Sequence, residues 1–290
     1  MAMSMADIAA GWLGQVDSVL HSAFDPLRLE GVGTYWRVML IAFLSNVVIF
    51  RLSSPVSAFL MPKVYSRLSA ADKRTWCICT TSLIHTILDS AVMLAYLNSP
   101  DLNSDKMDGY NEGFEYFLAV VQGYYIWDMV VCLVDFSSYG FMYVIHAGLG
   151  IFGLLVLTSR QLQFYAIPYL LPELSSVFLN IRFLLKLAGH ASTLLYRINF
   201  AVFVLVFVAI RMGFENYHSY QLAKAVIRGD VGSVHYPYAV YFAALGVALM
   251  VLNVIWLRQI TVAAYYTLYA GPTAHAAAAE DGKQRTKKSQ

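Results

Sequence analysis

Seven long apolar runs constrain the fold of this chain more than any other feature of its sequence. Hydrocarbon offers a backbone no hydrogen-bond partners, so an apolar run of about 20 residues crosses a bilayer as a helix. Of the 290 residues, 59% are hydrophobic and 13% are charged, whereas about 25% of the residues in an ordinary soluble domain are charged. We therefore predict an all-α membrane protein with about seven transmembrane helices, at residues 35–52, 76–97, 114–134, 139–158, 161–187, 194–212 and 237–257.

The fifth run is irregular. Pro168 and Pro172 each remove a backbone hydrogen-bond donor, and polar residues follow at once. A kinked helix buried among its neighbours fits this pattern better than a helix that faces lipid. The alternative is a short re-entrant stretch that ends at Leu171, followed by a separate helix, which would change the parity of the topology. Hydropathy leaves both interpretations open.

The polar segments are too short for a second domain, so we predict one membrane domain at residues 35–257. Residues 1–34 precede it and residues 258–290 follow it as a tail. In the first segment, apolar residues recur near helical spacing, which predicts an amphipathic helix lying on the membrane surface. These residues are Ile8, Trp12, Leu13, Val16, Val19 and Leu20.

The charges of the connections predict the orientation, because Lys and Arg are retained on the cytosolic side of a membrane. The first connection contains one acid, Asp72, and the basic residues Arg51, Lys63, Arg67, Lys73 and Arg74. The second contains one basic residue, Lys106, and the acids Asp101, Asp105, Asp108 and Glu112. With seven spans, the first connection and the C-terminal tail lie on the same side. We therefore predict a luminal N-terminus and a cytosolic C-terminus.

Two lysines near the end of the chain resemble a sorting signal. Lys287 and Lys288 stand fourth and third from the last residue. That spacing resembles the dilysine signal by which coat proteins retrieve membrane proteins to the endoplasmic reticulum, and such a signal works only on a cytosolic terminus. We therefore predict an endoplasmic reticulum membrane protein with coat proteins as partners. The alternative is a solvated basic tail.

Several polar residues fall inside the predicted spans, where an ionisable group costs about 2.5–3.5 kcal/mol and usually faces the interior of the bundle. They are His85 and Asp89 in the second span, Asp128 in the third, His146 in the fourth, and Glu173, Asn180 and Arg182 in the fifth. Four single amides on apolar helices are predicted to be interhelical packing contacts. These amides are Asn46, Gln122, Asn199 and Asn253.

These polar residues have a functional and a structural interpretation. In the functional one, they line a polar cavity where His146 acts as a general base and Asp128 or Asp89 orients its imidazole. In the structural one, they satisfy each other as interhelical contacts. His85 would then pair with Asp89, four residues away on the same helix face. Arg182 would pair with Glu173 or Asp128.

Other chemistries find no support in the sequence. A net charge of +2 is too small to imply a nucleic-acid partner, and the three cysteines, Cys77, Cys79 and Cys132, lie in or beside apolar runs. We therefore predict neither a disulfide framework nor a metal site. No nucleotide-binding loop or Ser/His/Asp arrangement is present, which argues against ATP-driven transport and the common hydrolases. No resident cofactor is predicted.

A series of short motifs resembles the TLC family, named for TRAM, Lag1 and CLN8, whose members are multi-span proteins of the endoplasmic reticulum and related membranes. The resemblance covers roughly residues 35–257 and is strongest to the branch of TLC-domain-containing, transmembrane-protein-56-like members. The matching residues are Ser54-Pro55, Tyr65-Ser66-Arg67-Leu68, Asp72-Lys73, Trp76, Gly123-Tyr124, Asp128, His146, Glu173-Leu174-Ser175-Ser176 and Phe178-Leu179-Asn180-Ile181-Arg182.

The resemblance implies a six-helix barrel around a lipid-sized cavity, here with one additional N-terminal span. Ceramide synthases of the family carry an adjacent His-His pair and two aspartates on the next helix. Here a single His146 stands in the fourth span, with Glu173 and Asn180 in the fifth. This departure argues against the ceramide-synthase reaction on a sphingoid base, while acyl transfer through His146 stays open.

Three functions follow as hypotheses. The first is lipid homeostasis, in which the bundle binds a membrane lipid or acyl chain. The second is an acyltransferase that uses acyl-CoA as co-substrate. The third is a cargo or trafficking adaptor of the endoplasmic reticulum. The candidate catalytic residues are His146, Asp128 and Glu173, and the candidate polar residues of the lipid cavity are His85, Asp89, Asn180 and Arg182.

Overall fold

The computed structural model describes residues 5–265, and its regular structure in that range is helical, without strands. Short helical turns at Asp25–Leu27, Pro62–Tyr65, Pro100–Asn103, Phe136–Tyr139 and Gln163–Tyr165 connect the longer helices. The longer helices are α1 Met5–Phe24, α2 Glu30–Leu60, α3 Ala70–Tyr96, α4 Glu112–Val134, α5 Phe141–Leu157, α6 Ala166–Leu170, α7 Glu173–Leu187, α8 Leu194–Arg228 and α9 Tyr236–Tyr265.

Each of the seven predicted runs coincides with helix, which confirms the all-α membrane class. Five helices, α2, α3, α4, α8 and α9, are long and apolar enough to cross a bilayer. The fourth run forms α5, a shorter apolar helix of 17 residues. The fifth run forms α6 and α7. The sixth run forms α8, which continues to Arg228, well beyond the predicted end of that run at residue 212.

The break between α6 and α7 lies at the second of the two prolines. Leu171 and Pro172 keep right-handed helical dihedral angles, with φ of −54° and −47°. Pro172 cannot donate to the carbonyl four residues earlier, so the helix is interrupted there without reversing its direction. This geometry matches the kinked helix rather than the re-entrant stretch.

Side-chain caps explain where three of the helices begin. The backbone N–H of Asp72 donates to Ser69 Oγ at 3.1 Å, and that of Phe114 donates to Asn111 Oδ1 at 2.9 Å. Such bonds satisfy donors that have no partner within the first turn. The backbone N–H of Tyr196 likewise donates to Thr193 Oγ1 at the start of α8.

The helices of the membrane domain pack as a closed ring. The contacts run from α2 to α4, α5, α9, α8 and α7, and return through α3 to α2. The first span is therefore part of the ring. Its close approach to α4 depends on Gly123, where an added Cβ would lie 2.4 Å from the carbonyl oxygen of Met39. A small residue at such a crossing lets two backbones come together.

Successive spans cross the ring in opposite directions, so their connections lie at two opposite ends. At the end we call the basic end, which holds residues 61–75, Arg74 lies 3.4 Å from Asp135 at the end of α4. At the opposite end, which we call the acidic end and which holds residues 98–111, Ser233 Oγ donates to Asp108 Oδ1 at 2.6 Å. Helix α1 is also attached at the acidic end, since the indole N–H of Trp36 donates to Asp17.

Candidate functional site

Two adjoining cavities lie inside the ring toward the basic end, and together we call them the chamber. The tyrosine compartment has a volume of about 310 Å³ and is lined by Tyr124, Tyr125, Tyr139, Asp128, Glu173 and Asn180, among others. The arginine compartment has a volume of about 280 Å³ and is lined by Ser175, Arg182, Phe207, Arg211, Trp256 and Gln259, among others. The residues common to both compartments are Tyr143, His146, Ser176, Leu179 and Phe183.

The ring brings most of the predicted site residues to this chamber. His146 lies where the compartments meet, and it also lines a small apolar cavity of about 40 Å³ behind them. Asp128 and Glu173 line the tyrosine compartment. Asn180 lies there too, and its amide donates to Ser82 Oγ of α3 at 3.0 Å. Arg182 lines the arginine compartment.

The other two predicted residues lie apart from the chamber. The imidazole of His85 stacks on Tyr124, with ring centroids 3.5 Å apart, and His85 lines an outer groove beside α2 and α4. Asp89 is fully buried. The predicted pair between them does not form, because neither His85 Nε2 nor either carboxylate oxygen of Asp89 has a hydrogen-bond partner within residues 5–265. Stacking on the phenol ring holds the imidazole instead.

Aromatic contacts position His146. Its ring packs edge-on against Trp256 of α9, with centroids 5.2 Å apart, and against Tyr125 of α4 at 6.2 Å. Its Nδ1 is buried and has no hydrogen-bond partner in the described part of the chain. The predicted orienting bond from Asp128 or Asp89 is therefore not made. A neutral imidazole held in this way keeps one ring nitrogen free to accept a proton.

Arg182 does not form the predicted pair with Glu173 or Asp128. Its Nε donates to the hydroxyl of Tyr196 at 3.0 Å, and its guanidinium lies 4.3 Å from the ring centroid of Phe200. A guanidinium on an aromatic face gains cation–π stabilisation. These contacts hold Arg182 between α7 and α8, at the wall of the arginine compartment.

The carboxylate of Glu173 pairs with Arg211, a residue that the sequence patterns did not identify as part of the site. Arg211 Nη2 lies 3.8 Å from Glu173 Oε1. Its Nε donates to Ser175 Oγ at 2.9 Å and its Nη2 to Ser176 Oγ at 3.3 Å. Arg211 also reaches α9, where Nη1 donates to Asn253 Oδ1 at 3.4 Å. Three helices of the ring therefore meet at one buried guanidinium.

The same network extends to Glu215. Asn253 donates through Nδ2 to Glu215 Oε2 at 3.1 Å, so its amide bridges Arg211 and Glu215. Both charged residues lie in a π-helical segment of α8, Val208–Glu215. Such segments are rare and occur often at functional sites. The signal in the sequence was an arginine inside an apolar run, with an acid four residues later.

The four single amides have different environments. Gln122 donates to the backbone of Ile151 at 3.3 Å and Asn199 to that of Phe178 at 2.8 Å, so the prediction of interhelical contacts is confirmed for both. Among the described residues, the side chain of Asn46 bonds only within its own helix, to the carbonyl of Ala42, so the predicted interhelical contact is not made there. Asn253 belongs to the arginine network described above.

No group of three or more His, Cys, Asp or Glu side chains that could hold a metal ion occurs in the described range. The three cysteines are buried and free. Lys287 and Lys288, the predicted retrieval signal, lie outside the described residues. The chamber reaches toward the basic end, since Thr75, Asp135 and Ser138 also line its tyrosine compartment.

Comparisons with known proteins agree with the motifs. A family model described as the TLC domain matches residues 75–262. An uncharacterised TLC domain-containing protein of Schizosaccharomyces pombe is 24% identical over 81% of this chain and 80% of its own length. TLC domain-containing protein 1 of Gallus gallus is 31% identical over 52% of this chain and 61% of its own. Protein CLN8 of Homo sapiens is 26% identical over 74% of this chain and 75% of its own length.

Proposed function

Since the chain belongs to the TLC domain family, we propose that it is a lipid-handling protein of the endoplasmic reticulum membrane that binds a lipid or acyl chain in its chamber. One observation carries this proposal. A closed ring of apolar helices surrounds a chamber where His146, Asp128 and Glu173 meet apolar side chains. A lipid needs both kinds of surface, one for its head group and one for its chain.

The position of the chamber supports the same role. It lies toward the basic end, which the charge distribution predicts to be cytosolic, and acyl-CoA or a lipid head group would enter there past Lys63, Arg67, Lys73 and Arg74. The lysines at the end of the tail support retention in the endoplasmic reticulum. This topology is tested by asking whether an antibody to the C-terminus reaches its epitope in cells whose plasma membrane alone is permeabilised.

Labelling with a photoreactive lipid tests the proposed function. Purified full-length protein in nanodiscs is irradiated with a phospholipid that carries a diazirine on its acyl chain. We expect Leu179→Trp, which fills the junction of the compartments, to lower labelling several-fold. The matched control is Leu205→Trp, because Leu205 of α8 is 70% exposed on the outside of the ring. Equal labelling of both variants and the parent protein would refute an internal lipid site.

Acyl transfer is the second candidate, favoured by the free buried Nδ1 of His146 at the junction of the compartments. In such a reaction the imidazole takes a proton from an amine or hydroxyl acceptor as the acceptor attacks the thioester carbonyl of acyl-CoA. The carbon–sulfur bond breaks, a new carbon–nitrogen or carbon–oxygen bond forms, and the departing thiolate receives the proton. Atoms and charges balance without a further reactant.

One set of variants distinguishes these functions. If acyl transfer is the activity, His146→Gln abolishes turnover of acyl-CoA while photolabelling by lipid persists. A trafficking adaptor would instead lose function on replacement of Lys287 and Lys288 by alanine and keep it in His146→Gln. Lipid profiling of a deletion strain complemented with each variant gives the readout in cells.

A further inference from the structure

Two charged side chains of the chamber have no oppositely charged partner in the described part of the chain. Asp128 lines the tyrosine compartment and Arg182 the arginine compartment, and neither takes part in an ion pair there. The other charges of the chamber are paired. Glu173 lies 3.8 Å from Arg211, and Asp135 lies 3.4 Å from Arg74. One compartment therefore holds an acidic side chain and the other a basic side chain, and neither has an ion-pair partner within residues 5–265.

An unpaired charge inside a membrane domain is costly, and a bound group of opposite charge lowers that cost. The two compartments are contiguous, because five residues line both of them. A single ligand that lies across the shared residues therefore contacts both compartments. A ligand that carries both a cation and an anion is complementary to this chamber.

The lining of the tyrosine compartment fits an ammonium group. Tyr124, Tyr125, Tyr139 and Tyr143 all line it together with Asp128. Tyr139 and Tyr143 pack edge to face, with ring centroids 5.5 Å apart, at the side of the compartment toward the basic end. Aromatic faces beside a carboxylate are the usual means of recognising ammonium and quaternary ammonium ions.

The lining of the arginine compartment fits a phosphate. Nε of Arg182 donates to the hydroxyl of Tyr196. The two terminal amino groups of Arg182 make no hydrogen bond within residues 5–265. The hydroxyl of Ser176 and the amide of Gln259 line the same cavity. A guanidinium with nearby hydroxyl and amide donors suits a phosphate oxygen.

We propose that the chamber binds the head group of a zwitterionic phospholipid. The ammonium lies beside Asp128 among the tyrosines, and the phosphate lies at Arg182, with the shared residues around His146 between them. This inference rests on the proposed lipid-binding function and names the class of lipid.

Four photoreactive probes with comparable acyl chains test it in nanodiscs that contain the full-length protein. Phosphatidylcholine carries both charges, phosphatidic acid only the phosphate, a long-chain base only the ammonium, and diacylglycerol neither. We expect phosphatidylcholine to label the protein about 5- to 10-fold more strongly than diacylglycerol, with the singly charged probes in between.

Variants assign each charge to its compartment. Asp128→Asn is expected to lower phosphatidylcholine labelling to the level of phosphatidic acid and to leave phosphatidic acid unchanged. Arg182→Gln is expected to weaken labelling by both phosphate probes and to spare the long-chain base. The matched controls are Asp230→Asn and Arg258→Gln, which change exposed residues outside the chamber. Tyr139→Leu provides a second test of the ammonium site that leaves every charge in place.

The outcomes separate this inference from the proposed function. Equal labelling by phosphatidylcholine and diacylglycerol would overturn the head-group assignment and leave lipid binding intact. Labelling by phosphatidic acid or the long-chain base as strong as that by phosphatidylcholine would overturn the zwitterionic assignment. If no probe labels the protein above a heat-denatured sample, both proposals fail.

Discussion

The guanidinium of Arg211 lies 3.8 Å from the carboxylate of Glu173, and this ion pair joins α8 to α7 beside the chamber. Both side chains are buried, at 6% and 7% exposure. The residue before Glu173 is Pro172, at which the kink begins. The kink therefore places the carboxylate of Glu173 next to Arg211, which lies in the π-helical segment of α8.

Removal of one partner should destabilise the protein strongly. We expect Arg211→Met or Glu173→Met to lower the free energy of unfolding by about 3–5 kcal/mol, because each leaves an uncompensated buried charge. The double variant should lose much less, since a buried pair replaced by apolar residues costs little. Unfolding in mixed micelles measures all three. Additive losses in the double variant would show that the two side chains do not act as a pair.

A methyl group added at the crossing of α2 and α4 should destabilise the fold. Gly123→Ala would place a Cβ 2.4 Å from a backbone oxygen of Met39, so we expect a loss of about 1–3 kcal/mol. The control is Gly148→Ala, whose added Cβ would meet only Met129 Cε at 3.5 Å. That change should be neutral or stabilise by about 0.5–1 kcal/mol. Thermal unfolding that ranks the two variants the other way round would contradict the close crossing.

The amide of Asn253 should matter more than that of Asn46. Asn253→Leu leaves buried Glu215 without its hydrogen-bond donor, and we expect a loss of about 1–3 kcal/mol. Asn46 bonds to the carbonyl of Ala42 in its own helix, and Asn46→Leu should change stability little. The comparison uses the same unfolding assay. Similar effects of the two variants would argue against the bridging role of Asn253.

At the acidic end, Tyr110 should make the free energy of unfolding depend on pH in the alkaline range. The hydroxyl of Tyr110 donates to Glu115 Oε2 at 2.6 Å, and Arg160 lies 3.6 Å from the same carboxylate. Burial, followed by the bond to Glu115, raises the pKa of Tyr110 above its usual value. Below about pH 10 the phenol is protonated in both states and its contribution is complete. As the pH rises further, the unfolded chain releases the proton first and stability falls.

Tyr110→Phe tests this dependence. The variant should lose about 1.5–3 kcal/mol near neutral pH, because a bond to a carboxylate is removed. Its stability should then fall less steeply than that of the parent between about pH 10 and the folded-state pKa. Tyr220→Phe, at a tyrosine that is 63% exposed, is the control. Parallel curves for Tyr110→Phe and the parent would refute the assignment.

Hydropathy predicted the helices well and their ends less well. The sixth run was predicted to end at residue 212, but α8 continues to Arg228. Hydropathy scores each residue by its own polarity, so two charged residues, Arg211 and Glu215, indicate the end of a span. In the fold they share Asn253 of α9, which hydropathy cannot include because that partner is 38 residues away from Glu215.

The same limit applies to the candidate site. Asp128, His146 and Glu173 were predicted to face a common interior, and they do line one chamber. The partners were less predictable. Arg182 bonds to Tyr196, and His85 stacks on Tyr124, although an acidic partner was expected for both.

The sequence by itself determined the class of fold, the number of apolar runs and the charges of their connections. These properties are set by local composition, because each span must satisfy its own backbone in hydrocarbon. Only the tertiary structure decided which buried charges are compensated. Ring order and helix rotation bring Arg211 to Glu173 and leave Asp128 and Arg182 without ion-pair partners in the described chain, in contiguous compartments. Distances of a few ångströms between separate helices control these energies, and no local pattern encodes them.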